Sequence, residues 1–353
     1  MKRQNLLPFF LLIQIILIPF LGFYSELVEK WYSNGFYPWV SKILRMSLGN
    51  IPFSIGDLLY FILILLVINW IWKSRKSWKA DWIKNIKLLL SGLAIFYFIF
   101  HLLWGFNYYR QPLFEKMKIE RDYTDADLLV FTQKLIAKTN AVQFQITADK
   151  KTAVKFPYSQ EQVFEMNLKG YSILAKEHPA FGYSELSAKK SLFSLPLSYM
   201  GFGGYLNPFT NEAQVNYLMP LYHSPTTSGH EMAHQMGYAS ESECNFIGFM
   251  ASIKNPNLYF QYSGYSFALR YCLANWQIRN ERVYHQLLPT VHPGILKNYE
   301  ESDLFWKSYQ TPIETGFHLF YDSFLKWNQQ KDGMEGYSKL VNLLVNFYKN
   351  KSL

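Results

Sequence analysis

Three apolar runs in the first 105 residues constrain this chain more than any other feature. They are residues 6–23 (LLPFFLLIQIILIPFLGF), 51–72 (IPFSIGDLLYFILILLVINWIW) and 88–105 (LLLSGLAIFYFIFHLLWG). A helix rises 1.5 Å per residue, so eighteen residues reach ~27 Å, close to the hydrocarbon core of a bilayer. The first run follows Lys2 and Arg3, as a signal peptide would. No small-x-small cleavage site follows it, only Phe23-Tyr24-Ser25-Glu26, so it is expected to stay as an anchor. Residues 24–50 are rich in aromatics (Trp31, Tyr32, Phe36, Tyr37, Trp39) and suit an interfacial loop. Residues 73–87 carry six Lys/Arg against Asp81. By the positive-inside rule they are expected in the cytoplasm together with the N-terminus. Three spans then put residues 106–353 on the outer side. Asp57 falls near the outer end of the second run, where it need not be deeply buried.

Charge follows the same division. The net +9 splits into +7 for residues 1–105 and +2 for residues 106–353, which gives no support for nucleic-acid binding by the larger part. The expected organisation is a membrane anchor, 1–105, and an extracytoplasmic domain, 106–353. Two cysteines, Cys244 and Cys272, cannot make a disulfide framework. A single bond between them is conceivable only if their helices flank the same site.

Chemistry concentrates in residues 223–254, HSPTTSGHEMAHQMGYASESECNFIGFMASIK. His230-Glu231-Met232-Ala233-His234 is an H-E-x-x-H, and on a helix positions i and i+4 share a face. Two imidazoles can then meet one metal ion, with Glu231 beside them as general base for a water on that metal. Pro225 with Thr226 or Thr227 as N-cap predicts the helix start, and Gly237 its end. A catalytic zinc needs a third protein ligand and one open position. The longer motif H-E-x-x-H-x-x-G-x-x-H fails because position 240 is Ser240. Glu241 and Glu243 remain, on a helix expected at 241–254. Glu243 shares its face with Phe246, Ile247 and Met250, whereas Glu241 shares its face with Cys244, Asn245 and Gly248. A carboxylate on an apolar face must be paired, protonated or metal-bound, which favours Glu243 as ligand. Ser240-x-x-Glu243 also reads as a capping box.

Elsewhere the periodicity predicts helices near 124–140 (capped by Thr124 or Asp125) and 160–176 (Ser159-x-x-Gln162 as capping box). Residues 191–220 read as short strands and turns. Glu212 to Met219 reads as a strand just before the metal helix. In zinc peptidases a strand in that place commonly lines the cleft, so Glu212, Ala213, Gln214, Val215 and Asn216 are expected to pair with an extended peptide. Helices are expected at 262–278, 279–289, 294–309, 313–329 and 335–350. Tyr262, Tyr265 and His223, like His292, are candidates to stabilise a tetrahedral oxyanion. The sequence holds no internal repeat, phosphate loop or G-x-S-x-G elbow.

With these residues in view, the sequence resembles a family of bacterial membrane proteins, mostly from Bacteroidetes, catalogued as a domain of unknown function. The resemblance spans most of the chain. It rests on Pro52-Phe53-Ser54-Ile55-Gly56-Asp57, Asn107-Tyr108-Tyr109-Arg110, Tyr199-Met200-Gly201-Phe202, Asn207-Pro208-Phe209-Thr210, His230–Gln235, Glu243-x-Asn245-Phe246 and Tyr262-Ser263-Gly264-Tyr265. It implies a membrane-bound, gluzincin-like zinc metallopeptidase, with His230, His234 and Glu243 on one zinc ion and Glu231 as base. Cys244 departs from the alanine expected there. The fold class that follows is mainly α: three transmembrane helices, then an α+β zincin-like extracytoplasmic domain with a small sheet before the H-E-x-x-H helix. The expected function is hydrolysis of amide bonds in a peptide or protein substrate at the bacterial inner membrane. The alternatives are a non-catalytic membrane protein with a structural metal, and a zinc amidase or deacylase acting on cell-envelope material.

Overall fold

The computed structural model describes residues 6–328 and 337–353. It is mainly helical, with sixteen α-helices and a three-stranded sheet among the described residues. The first apolar run forms α1 (Leu6–Leu17) and a 3₁₀ turn. It continues through α2 (Ser25–Leu27), a π-helical stretch (Val28–Phe36) and α3 (Tyr37–Leu48). Residues 24–50 are therefore helical and pack against the rest of the protein, where an interfacial loop was expected. The second and third runs form α4 (Ile55–Ser74) and α5 (Trp82–Leu103). Among the described residues, three helical segments are thus long and apolar enough to cross a membrane, counting Leu6–Leu48 as one.

The start of α4 explains the Pro52–Asp57 sequence. Ser54 caps it, its hydroxyl accepting from the Asp57 amide at 2.8 Å. The Glu212 carboxylate accepts from the free amides of Ile55 (3.2 Å) and Gly56 (2.5 Å), which have no partner inside the helix. The Asp57 carboxylate accepts from the Leu192 amide, the Ser191 hydroxyl and the Tyr205 phenol. Asp57 is fully buried, but within protein, not in lipid.

After α6 (Leu113–Met117), the helices α7 (Asp125–Thr147) and α8 (Gln160–Glu177) begin at capping boxes: Ser159 with Gln162, as expected, and Thr124 with Asp127, where a cap at Thr124 or Asp125 was expected. The region 191–220 is less strand-like than its composition suggests. Its elements are β1 (Ala188–Lys190), α9 (Ser194–Met200), β2 (Gly204–Asn207) and β3 (Glu212–Val215). The sheet order is β1-β3-β2, with β1 parallel and β2 antiparallel to β3. Both edges of β3 are therefore taken, and residues 212–216 are buried throughout. The expected pairing of a peptide with Glu212–Asn216 is thereby excluded.

Helix α10 (Ser224–Gln235) carries the H-E-x-x-H and α11 (Glu241–Lys254) follows it. Helices α12 (Leu258–Arg279), α13 (Glu281–Leu287), α14 (Pro293–Tyr309), α15 (Pro312–Trp327) and α16 (Tyr337–Phe347) complete the chain. The expected helix ends at 329 and 335 lie outside the described residues. The main core gathers Leu128, Leu135, Tyr171, Phe246, Phe249 and Leu269 from the helices around α11.

The α10 start lies two residues before the expected caps, because Thr226 is already inside the helix and turns its hydroxyl to Ser263. Its C-terminal end is met by the membrane-linked segment. Gly237 turns the chain at φ 84°, and a side chain there would strike the Tyr37 ring and Asn107. The terminal carbonyls, which lack helical partners, accept from that same segment. The Trp104 indole donates to His234 O (3.1 Å), the Tyr37 phenol and Ser41 hydroxyl to Gln235 O (each 2.9 Å), and Arg110 Nη1 to Gly237 O (2.7 Å). Arg110 also grips Glu29 in a two-point ion pair at 2.8 and 2.9 Å, with Lys116 on the same carboxylate. Breaking a buried pair by removing one partner costs ~3–5 kcal/mol. Arg110→Met should therefore lower the denaturation midpoint of the detergent-solubilised protein strongly, and an unchanged midpoint would show that this contact does not hold the two parts together.

Candidate metal centre

Helices α10 and α11 cross with almost no side chain between them. The Gly248 backbone packs on Gly229, and a Cβ at Gly248 would lie 2.8 Å from the His230 amide nitrogen. This contact brings the first turn of α11 against the last turns of α10. The ligand atoms of His230, Glu231 and His234 all lie within 4.8 Å of one another. Glu241 Oε2 stands 3.2 Å from His230 Nε2 and 3.7 Å from His234 Nε2. Donor atoms ~2.0–2.2 Å from a tetrahedral ion are ~3.4 Å apart, so Glu241 stands from each imidazole nitrogen at the spacing of two ligands on one cation.

The back of each imidazole is engaged. His230 Nδ1 is 2.8 Å from Asn245 Oδ1, and His234 Nδ1 is 2.7 Å from the Tyr238 carbonyl oxygen. An oxygen acceptor there fixes the proton on Nδ1 and leaves the Nε2 lone pair for a metal, the usual support for histidine ligands. Cys244 lies on this same back side, with Sγ 3.2 Å from His234 Nδ1 and donating to Tyr238 O at 3.1 Å. Burial pushes its thiol up to about 11. Cys244 thus sits behind His234, on the side of the ring away from Nε2. Both cysteines are free.

Glu231 is buried, and its Oε2 has no hydrogen-bond partner within the protein. Burial pushes its pKa up to about 7, with the Glu241 charge adding and the two imidazoles opposing. A carboxylate with a free buried oxygen and a pKa near neutrality is suited to exchange a proton with water. Its other oxygen faces Gly204 on β2, where a Cβ would come within 2.7 Å of Glu231 Oε1 and 2.6 Å of the Gln214 carbonyl oxygen. Burial works to raise the Glu241 pKa, but the two imidazoles overcome it and hold it well below the carboxylate range. Its Oε1 accepts from the Tyr321 phenol of α15 at 2.8 Å. Burial, reinforced by Glu241, raises the Tyr321 pKa well above the phenol range, so that hydroxyl stays a donor.

Several expected site residues lie elsewhere. Glu243, the expected third ligand, turns to α6, where Oε1 accepts from the Leu113 amide at 2.7 Å. It does not cap α11 either, since no side-chain bond closes at Ser240. The choice between the two glutamates went wrong because apolar neighbours mark the core-facing side of α11, not its metal side. Phe246, Ile247 and Met250 belong to the main core. The face bearing Glu241, Asn245 and Gly248 lies against α10, and its small and polar residues were the available signal. Tyr262 is buried and donates to Asn298 Oδ1 at 2.7 Å, and Tyr265 packs in the core. His223 Nε2 pairs with Ser302 Oγ at 2.9 Å, and burial pushes its pKa down to about 3. His292 precedes α14 and bonds Gln143. None of these four hydrogen-bonds His230, Glu231, His234 or Glu241 among the described residues. Tyr321, 80 residues beyond Glu241, had no local sequence signal.

A family model described as protein of unknown function (DUF3810) matches residues 32–345. The chain belongs to the DUF3810 family. The match runs from the π-helical stretch to α16 and so takes in the membrane-linked cap of α10 as well as the metal centre. No curated protein and no solved structure matches the chain.

The two glutamates give opposite outcomes. Glu241→Gln should abolish stoichiometric metal in the purified protein, whereas Glu243→Gln should retain it. Elemental analysis of both variants decides, and the reverse pattern would restore Glu243 as the ligand.

Proposed function

We propose that this DUF3810 protein is a membrane-anchored, zinc-dependent hydrolase of amide bonds, and that its substrates are peptides or proteins. The observation that carries the reading is the convergence of two back-bonded imidazoles and Glu241, with the unpartnered Glu231 oxygen beside them. His230, His234 and Glu241 would hold the zinc. Bound there, zinc would act as a Lewis acid and lower the pKa of a water ligand to ~7. Glu231 would take the proton from the attacking water and deliver it to the leaving amine. Tyr321 keeps Glu241 in place through its hydroxyl bond.

The open fourth position favours catalysis over a purely structural metal, since the one nearby thiol, Cys244, belongs to the back of His234. β2, rather than β3, is the strand beside Glu231 with an unpaired edge, so an extended substrate would lie along Gly204–Asn207. The basic residues between α4 and α5 favour a cytoplasmic position for that end, which leaves α10 and α11 on the extracytoplasmic side. The fold's contacts fit this arrangement: residues 25–54 and 105–353 pack together at the other end of the apolar helices.

Glu231→Gln removes the proton acceptor but none of the three ligands. It should keep zinc and lose hydrolysis of a fluorogenic peptide library by at least ~10²-fold. Turnover at the wild-type rate would remove Glu231 from its role.

A further inference from the structure

We propose that α15 is a membrane-surface helix whose outer face sits in the lipid interface while its inner face closes the metal centre. The inference rests on reading α1, α4 and α5 as membrane spans.

The outer face is apolar and uncovered. Ile313, Phe320 and Trp327 recur every seven residues and so form one row along the helix. They are 63%, 64% and 63% exposed, and Leu319 at the edge of the row is 68% exposed. The two small residues among them do not interrupt it. Gly316 faces open space, and the Ser323 hydroxyl is turned back on the Leu319 carbonyl at 2.8 Å. The polar residues Glu314, His318, Asp322 and Lys326 follow a separate row spaced by four. A helix divided in this way lies in the plane of a membrane interface, its apolar side ~5–10 Å into the headgroup boundary.

What covers this face is indicated by its neighbour. Phe324, next to the Ile313 row, packs on Phe100 of α5 at 6.4 Å between ring centroids, one turn before α5 ends. The outer face of α15 therefore continues the apolar surface of a span instead of standing alone on the globule. Other parts of the protein reach the same level. Phe209 packs on Tyr60 of α4 and Phe96 of α5, and exposed Leu192 and Leu195 adjoin the start of α4, where the Leu192 amide binds Asp57. On the inner side, Tyr321 bonds Glu241 and packs in the cluster that holds Tyr108, Phe100 and Phe324. A helix seated in lipid thus carries the hydroxyl that touches Glu241, which puts the centre one side chain below the membrane surface. The substrate class this adds is an amide held at that surface, in a peptide segment flanking a span or a lipid anchor.

The test uses the full chain in nanodiscs of phosphatidylethanolamine and phosphatidylglycerol. The native cysteines are both fully buried, so a nitroxide attaches at an introduced thiol. Labels go on Phe320→Cys, on Thr315→Cys at the polar side of α15, and on Leu65→Cys in the middle of α4. Collisions with oxygen report lipid, and collisions with a water-soluble nickel chelate report water. The oxygen-to-nickel ratio at 320 should match that at 65 and be several-fold higher than that at 315. A ratio at 320 equal to that at 315, with 65 still in lipid, would overturn the inference and leave the spans standing. Dipolar broadening at 320 would show that a second copy of the chain covers the face, and would also overturn it. Nickel access at 65 would remove the spans and the inference together. Nickel access at 65 would also remove the membrane anchoring from the proposed function, while none of these outcomes touches the chemistry proposed for His230, Glu231, His234 and Glu241.

Discussion

The C-terminal carbonyls of α10 are the constraint on which the rest depends. Left in a buried place without donors, each would cost a desolvation penalty of ~1–3 kcal/mol. Tyr37, Ser41, Trp104 and Arg110 supply those donors, and all four come from segments that adjoin the apolar helices. The same carbonyl end holds His234, so the position of an imidazole of the candidate metal centre is set by residues next to the apolar helices. Residues 1–105 and the larger part are thus joined by side-chain packing as well as by the chain itself. Glu212 at the start of α4 and Asp57 beneath Leu192 repeat the pattern at a second junction.

A polar centre is built here inside a tightly packed helix pair. Gly229 and Gly248 let the backbones of α10 and α11 meet, which leaves no room for an apolar layer between them. Polar side chains then face one another, and nearly every donor and acceptor is used: Asn245 on His230, Tyr238 on His234, Tyr321 on Glu241. The exception is the Glu231 oxygen. In a buried network an unpaired polar atom is costly and marks the place where a small molecule completes the set. That oxygen, set beside two imidazoles, favours chemistry over a structural clasp.

Much of this was legible in the sequence. The apolar runs gave the long helices because their length and composition leave few alternatives, and the caps at Thr124 and Ser159 marked helix starts to within a residue. His230 and His234 followed from i,i+4 spacing, which is local. The third ligand did not, because the choice between Glu241 and Glu243 depends on which face of α11 meets α10. Apolar neighbours mark the face toward the larger core, and the closer partner was announced by small residues instead. Of the strand expected from Glu212 to Met219 only Glu212–Val215 forms, and its place at the centre of the sheet depends on Ala188–Lys190, a three-residue strand with no alternating pattern of its own. Tyr321 and the cap on α10 are long-range contacts, invisible to periodicity.

The central claim is a cation shared by His230, His234 and Glu241 with one place left for solvent. X-ray absorption at the zinc edge of the purified, membrane-solubilised protein tests it without any substrate. The account predicts a first shell of nitrogen and oxygen only at ~2.0–2.2 Å, with the outer-shell pattern of two imidazoles. A sulfur scatterer at ~2.3 Å would put Cys244 on the metal, close the site and contradict the account.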